Sequence, residues 1–452
     1  MKKLIYSIAV LILIGTSSVY SQDKRNLSNI AIQVERSIVK GVAYMNTLAI
    51  EGGYVYYYSL DGKEKWGEGK TDDRTIEVQP PGTPAVGMSI LRAYRATKNK
   101  DLLAVAVEAA NALIKGQNDL GGWDHKIYFD RPKGKKVSFD DNQTQSAISF
   151  LMALDQEVDN ENLTKAIEKA LDMMIESQLD NGGWPHKYPL QGNYHDYATF
   201  NDEGINDCLR VMIEANSFYN NKAIEKSLDK VGRFLMISQL PPPQPGWAQQ
   251  YNEFLQPAWA RTFEPPAVCP YTTVHNINSL IDLYISTGEG KYLEPIPDAL
   301  RWLRASQLPN GKWGRFLEIG TNKALYYDRG RIRLDSLHQL SLERRTGYGY
   351  ETDISNSLED VELRFQLVSN NASSCQKINK ENRLSELADQ VQDIIKSQDR
   401  QGRWIVRQDK FRKEISVQKW NGEYRIEDRI SSALFNRYVA VLSEFLELYN
   451  EL

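Results

Sequence analysis

One motif recurs along this chain and restricts what it can fold into. Gln117-Asn118-Asp119-Leu120-Gly121-Gly122-Trp123 returns 61 residues later as Gln178-Leu179-Asp180-Asn181-Gly182-Gly183-Trp184. A looser copy runs from Gln239 to Gly246-Trp247, and further copies are Gln307 to Gly311-Lys312-Trp313 and Gln398 to Gly402-Arg403-Trp404. Gly52-Gly53-Tyr54 reads as a worn sixth copy. Repeats of this length are supersecondary units that bury a face only against neighbouring units, so the fold is an array and not a set of unrelated domains.

An amphipathic segment precedes the copies. Before Gln178, Leu163, Ile167, Leu171, Met174 and Ile175 recur at steps of three and four, which is one face of a helix. Residues 101–116, 222–238, 297–306 and 381–397 follow the same rule, and each leads into a Gly-containing turn, where glycine supplies the left-handed conformation of a helix stop. A second helical pattern lies at 84–97, 143–155, 203–217 and 272–287. The expected fold is therefore all-α, an α/α toroid of repeated helix hairpins, with the long loops after each Trp forming a cleft at one end. Residues 308–352 are weakly periodic, and a loop of that length is usually functional.

Residues 1–21 read as a signal peptide: Lys2-Lys3, an apolar run from Leu4 to Ile14, then Val19-Tyr20-Ser21 before Gln22. The run is short for a membrane span of about 20 residues. The expectation is a secreted or periplasmic protein, with residues 22–452 as a single catalytic domain, monomeric and free of the membrane. A net charge of −4 gives no basis for nucleic-acid binding. Cys208, Cys269 and Cys375 are too few for a disulfide scaffold, and no CxxC pair suggests zinc.

Two helix starts are acidic in the same way. Phe139-Asp140-Asp141-Asn142 and Phe200-Asn201-Asp202-Glu203 put Asp141 and Asp202 one repeat apart, at equivalent places on adjacent hairpins. Such residues cap helices, yet two matched sites with extra carboxylates also suit a hard cation such as Ca²⁺. Asp140, Asp141, Asn201 and Asp202 are the candidate metal ligands. The loop from Trp184 to Tyr197 brings Lys187, Tyr188 and His195 to the same region as candidate substrate contacts. In Trp259-Ala260-Arg261-Thr262-Phe263-Glu264, a single arginine is flanked by aromatics and has Glu264 within reach of a simple pairing. From Lys312 to Arg345 there are eight basic residues against four acidic ones, which favours an anionic ligand, with Arg329, Arg344 and Arg345 as candidate contacts.

Asn181-Gly-Gly-Trp-Pro, Tyr194-His-Asp, Thr199-Phe-Asn-Asp202, Pro257-Ala-Trp-Ala-Arg261, Phe263-Glu-Pro-Pro266, Glu318-Ile-Gly-Thr-Asn322 and Glu343-Arg-Arg-Thr-Gly347-Tyr348 occur in this order. Together they resemble the family 10 polysaccharide lyases, which are pectate lyases, over about residues 30–450. The resemblance implies an α/α toroid, Ca²⁺ dependence, and β-elimination on polygalacturonate (homogalacturonan) that gives 4,5-unsaturated oligogalacturonides. By motif, Arg261 resembles the catalytic base, Asp202 with Asp140 or Asp141 resembles the calcium carboxylates, and Arg344 and Arg345 fall in the motif that contacts substrate carboxylates. His186-Lys187 and Lys323 depart from the family pattern, which bears on subsite preference and substrate methylation.

Read from the residues alone, His195 and His186 are nominated equally as base. An arginine base needs help, because its pKa is above about 12; Ca²⁺ and nearby cations are expected to favour its neutral form. The rival readings are a triterpene-type cyclase, which shares Gln-to-Trp repeats but needs an apolar cavity; a toroidal glycoside hydrolase working with two carboxylates; and a non-catalytic uronate-binding protein.

Overall fold

The computed structural model describes residues 27–370, 380–416 and 419–451. The expected signal peptide, 1–21, and Cys375 lie outside them. In chain order the helices are α1 (27–46), α2 (Thr83–Thr97), α3 (Lys100–Gly116), α4 (Gln143–Asp155), α5 (Glu161–Glu176), α6 (Gly204–Tyr219), α7 (Lys222–Ile237), α8 (Pro270–Thr287), α9 (Ile296–Ala305), α10 (Leu342–Gly347), α11 (Ser355–Ser369), α12 (Lys380–Ser397) and α13 (Ser432–Asn450). Every helix expected from periodicity is present, with ends shifted by at most two residues. The described residues form two compact units.

The larger unit is residues 78–80 and 114–375. Its repeats show what the motif does. In the second copy the Gln178 amide donates to the Gly182 carbonyl at 2.9 Å and to the Ser227 carbonyl of α7 at 3.0 Å. One side chain thus closes its own turn and ties it to the next repeat's helix. Gln117 does the same to Gly121 and Ala166, both at 2.8 Å, and Gln239 to Pro245 and Pro295 at 3.0 and 3.1 Å. The tryptophan works in the other direction. The Trp184, Trp247 and Trp313 indole N–H groups donate to the carbonyls of Met174, Leu235 and Leu303 at 2.7–2.8 Å. These carbonyls lie in the last turn of the preceding helix, where the hydroxyls of Ser177, Ser238 and Ser306 also donate to them, at 3.2, 3.4 and 2.9 Å. The glycine is obligatory at one position. Gly182 has φ +100°, and a Cβ there would lie 2.3 Å from the Lys230 carbonyl oxygen.

The loops after each Trp are joined to one another by short antiparallel strands. Val137–Ser138 pairs with Lys187–Tyr188, and Ala198–Thr199 with Gln250–Tyr251. Phe139 N–H donates to the His186 carbonyl at 2.9 Å, and its equivalent Phe200 N–H to the Gln249 carbonyl at 2.7 Å. Each acidic helix start is thereby fixed by the loop of the following repeat. Cys208 and Cys269 are free and buried.

The smaller unit comprises residues up to 77, 81–113 and 376 onward. In it α13 packs on α2 and α12, and Arg92 of α2 grips Glu447 of α13 through two bonds of 2.9 and 2.7 Å. The last motif copy clasps the first helix: Gln398 donates to Gly402 at 3.1 Å and to Ser37 of α1 at 3.0 Å. The worn copy is a genuine repeat by geometry, since Gly52 (φ +88°) lies against the Glu108 carbonyl as Gly182 does against Lys230. A five-stranded antiparallel sheet, in the order Ile405–Ser416, Lys419–Ser431, Tyr57–Ser59, Lys65–Gly67, Gly69–Thr71, completes the unit and was not expected from the sequence.

Candidate active site

Asp141 and Asp202 adopt the same rare backbone, φ 47°, ψ 37° and φ 47°, ψ 38°. Asn142 and Glu203, which follow them, are also left-handed, at φ 57° and 61°. Two successive left-handed residues tilt the chain out of line with the helix that follows, and neither α4 nor α6 receives a side-chain cap. Capping, the ordinary reason for acids at a helix start, is therefore not what these residues do. Oxygens of Asp140, Asp141 and Asp202 all lie within 4.8 Å of one another. At this separation two carboxylates repel by about 3 kcal/mol at an effective dielectric of 20. Asp202 shows the consequence. Its pKa is raised, first by desolvation and then by Asp140, against the opposing pull of Arg315 and Arg261.

The donor set fits a hard cation. Asp140 Oδ1 and Asn201 Oδ1 occupy equivalent repeat positions, and both are buried without a hydrogen-bond partner. Asn201 directs its amide N–H to Asp202 Oδ2, which leaves that Oδ1 as a spare acceptor. Carboxylate and amide oxygens with no nitrogen or sulfur among them are the ligand chemistry of Ca²⁺.

Arg261 stands in the same electrostatic neighbourhood and is held by Glu264. Its guanidinium donates to Glu264 Oε1 at 2.6 Å and its backbone N–H to Oε2 at 2.9 Å, while the Glu264 N–H returns a bond to the Arg261 carbonyl at 2.9 Å. The Tyr348 hydroxyl also donates to Glu264 Oε1. Glu264 is 2% exposed and Arg261 43%. Desolvation alone lowers the Arg261 pKa, but the hydrogen bond and charge of Glu264 outweigh it and the net shift is upward. Glu264 itself, raised by desolvation, is brought below its ordinary value by Arg261 and Tyr348. Sequence reasoning expected surroundings that favour neutral arginine. Among the described residues the group bonded to Arg261 is instead an anion that favours the charged form.

Around the Phe263 ring stand three guanidiniums: Arg344 at 4.1 Å, and Arg261 and Arg329 at 5.3 Å each. Tyr348 meets the same ring edge-on at 5.0 Å, and Arg315 lies 4.4 Å from the Tyr348 centroid. Glu343 ties Arg329, at 2.8 Å, to Arg344. Arg344 is buried and its Nε has no partner, whereas the neighbouring Arg345 is exposed and reaches the His338 carbonyl at 3.3 Å. Of that pair, the structure brings Arg344 to Arg261 and leaves Arg345 outside. Sequence reasoning missed Arg315, whose charge acts on Asp202 and Tyr348. A lone arginine in a loop has no pattern to mark it; only the excess of basic residues over 312–345 hinted at it.

The two histidines pack edge to face, with ring centroids 5.6 Å apart. His186 is buried beside Gln250 and lowered to about 4, chiefly by desolvation. His195, half-buried, is also lowered to about 4, by desolvation and then by His186 and Lys187. It stacks on Tyr194 at 4.0 Å and places Nδ1 2.7 Å from Asn193 Oδ1. Both rings are neutral at pH 7. Lys187 and Tyr188 sit half-buried in the strand that faces Ser138 and Val137, just before Asp140.

Residues 124–271 match the family model described as Pectic acid lyase. That stretch contains Asp140, Asp141, Lys187, Tyr188, His195, Asn201, Asp202 and Arg261, and excludes Arg329, Arg344 and Arg345. No curated protein matches the chain. Among solved structures, the chain is similar to an aspartate-to-alanine variant of a family 10 polysaccharide lyase from Cellvibrio cellulosa, in complex with trigalacturonic acid. The identity is 20%, the match covers 62% of this chain and 98% of that one, and the TM-score is 0.50. A D-mannose isomerase matches at 11% identity over 92% of this chain and 97% of that one, with a TM-score of 0.51. At such identities these likenesses concern fold, and they establish the expected all-α, α/α-toroid class.

Proposed function

We infer, from the premise that this chain is a polysaccharide lyase of the pectic acid lyase kind, that it is a secreted or periplasmic pectate lyase acting on polygalacturonate with Ca²⁺. The observation that carries the reading is the pair of matched left-handed turns whose carboxylates converge beside Arg261. Asp140, Asp141 and Asp202, with Asn201 Oδ1, would hold the ion. When bound, Ca²⁺ supplies positive charge against a uronate carboxylate and so makes the adjacent C5 proton more acidic.

The chain's own groups do the rest. Arg344 and Arg329, positioned on Phe263 and braced by Glu343, present guanidinium forks to substrate carboxylates. A neutral Arg261 takes the C5 proton at a guanidine nitrogen. The C5–H electron pair becomes the C4–C5 double bond, the C4–O bond breaks, and the leaving oxygen gains a proton from water. Glu264 opposes the deprotonation of Arg261 and so sets an alkaline working range.

The test is incubation with polygalacturonate with and without Ca²⁺, read by the near-ultraviolet absorbance of a 4,5-unsaturated product. Absorbance that rises with Ca²⁺ and stops with EDTA supports the reading. No absorbance at any pH or metal concentration removes it.

A further inference from the structure

The third hairpin of the larger unit opens differently from the two that carry the acidic turns. Thr273 Oγ1 accepts from the Trp247 N–H at 3.1 Å, as Thr144 Oγ1 accepts from the Trp123 N–H at 3.3 Å, so α8 is the equivalent of α4. The Cys269 N–H donates to the Trp247 carbonyl at 2.8 Å, as the Ser138 N–H does to the Trp123 carbonyl at 2.8 Å. Six positions separate Ser138 from Thr144, but only four separate Cys269 from Thr273. The left-handed acidic turn is missing here, and Pro270-Tyr271 opens α8 in its place.

Tyr271 thereby sets an aromatic ring beside the ion site. It is 47% exposed, although it lies in the first turn of an 18-residue helix. His275, one helical turn further on, backs the ring, with centroids 4.4 Å apart and planes inclined at 49°. His275 Nδ1 lies 3.2 Å from Glu203 Oε2, and Arg210 reaches the same oxygen at 3.5 Å. Glu203 directly follows Asp202, so the ring is braced against the second acidic turn. The Tyr271 hydroxyl is raised chiefly by desolvation and then by Glu203; Arg315 opposes and Asp202 adds to the rise. Arg315, whose Nε is buried without a partner, thus stands within electrostatic reach of both Asp202 and Tyr271.

We propose that Tyr271 is the platform of a further sugar subsite, on which the pyranose ring of the galacturonate next to the ion-bound one stacks. The chemistry fits this occupant. In a galacto-configured ring the axial O4 leaves the C3, C4 and C5 hydrogens on one face, an apolar patch suited to an aromatic surface. Arg315 supplies a cation for an acidic sugar there in preference to a neutral one. The identity of the polymer rests on the lyase reading; the place of the ring does not.

The test is calorimetric binding of hexagalacturonate, in Ca²⁺, to the full chain carrying Arg261→Ala alone, with Tyr271→Ala, or with Tyr271→Phe. Melting temperatures with and without Ca²⁺, taken before sugar is added, check folding and the ion site. Tyr271→Ala should weaken binding about fivefold or more, and Tyr271→Phe, which keeps the ring, less than about twofold. With Arg261 restored, Tyr271→Ala should raise KM for polygalacturonate by a similar factor and change kcat less. Unchanged binding in Tyr271→Ala, an equal loss in Tyr271→Phe, or a lost response to Ca²⁺ in Tyr271→Ala overturns the proposal. Weakened binding in Tyr271→Ala, combined with a wild-type chain that forms no unsaturated product, upholds the subsite and defeats the lyase reading. A chain that binds no hexagalacturonate defeats both.

Discussion

Glu264→Gln isolates the electrostatics of the proposed base. The Glu264 carboxylate lies 2.6 Å from an Arg261 nitrogen and is itself almost wholly buried. Unit charges about 4 Å apart interact by about 4 kcal/mol at an effective dielectric of 20. Arg261 is 43% exposed, so water screens part of this, and glutamine keeps one hydrogen bond. Roughly 1.5–3 kcal/mol remains, equivalent to about 1–2 pH units. The sign follows from the charge. The anion stabilises protonated Arg261 and raises its pKa, so removing it lowers the pKa and increases the neutral fraction at any given pH. Initial rates of unsaturated product measured against pH, at saturating Ca²⁺ and substrate, should show the alkaline rise displaced toward neutrality by that amount. A rise that stays in place or moves upward in a folded variant refutes Arg261 as the group whose deprotonation limits the rate.

Other consequences are open to simpler measurements. Arg261→Ala should abolish turnover while oligogalacturonate still binds by calorimetry, whereas His195→Ala should reduce kcat less than about tenfold, since neutral His195 sits at the edge of the site. Asp141→Asn keeps a side chain that tolerates the left-handed backbone and removes one member of a repelling trio. It should stabilise the protein by about 1–2 kcal/mol in EDTA, and the rise in melting temperature on adding Ca²⁺ should disappear. Gly182→Ala puts a methyl 2.3 Å from the Lys230 carbonyl at φ +100°, which should cost about 2–4 kcal/mol in thermal unfolding; Gly192→Asn, at φ +76° with open space around it, should cost under about 1 kcal/mol.

The helices were legible because each buries one face of a 3.6-residue period. Leu163, Ile167, Leu171 and Met174 are indeed the buried side of α5. The motif was legible because Gln, Gly and Trp each have a geometric duty that few residues can perform. The long hairpin was not. Lys410, Arg412 and Tyr424 on one face, and Phe411, Lys413 and Arg425 on the other, mix polar and apolar groups on both sides of the strands, so the alternation that marks a half-buried strand is missing. At the site, the 61-residue interval exposed the equivalence of Asp141 and Asp202, but a left-handed backbone at an aspartate leaves no trace in composition. Arg344 and Arg345 could not be separated because adjacent residues on a helix face directions about 100° apart, and only packing on Phe263 decides which one turns inward.

The central claim is that one ion and one uronate meet between the two acidic turns and Arg261. The most direct measurement is a crystal structure of the Arg261→Ala chain with Ca²⁺ and trigalacturonate, with the ion located by its anomalous signal. The expected result is a peak ringed by oxygens of Asp140, Asp141 and Asp202, a sugar carboxylate in its coordination shell, and C5 facing the vacated side chain. An ion bound elsewhere, or an oligosaccharide whose C5 faces away from position 261, contradicts the account.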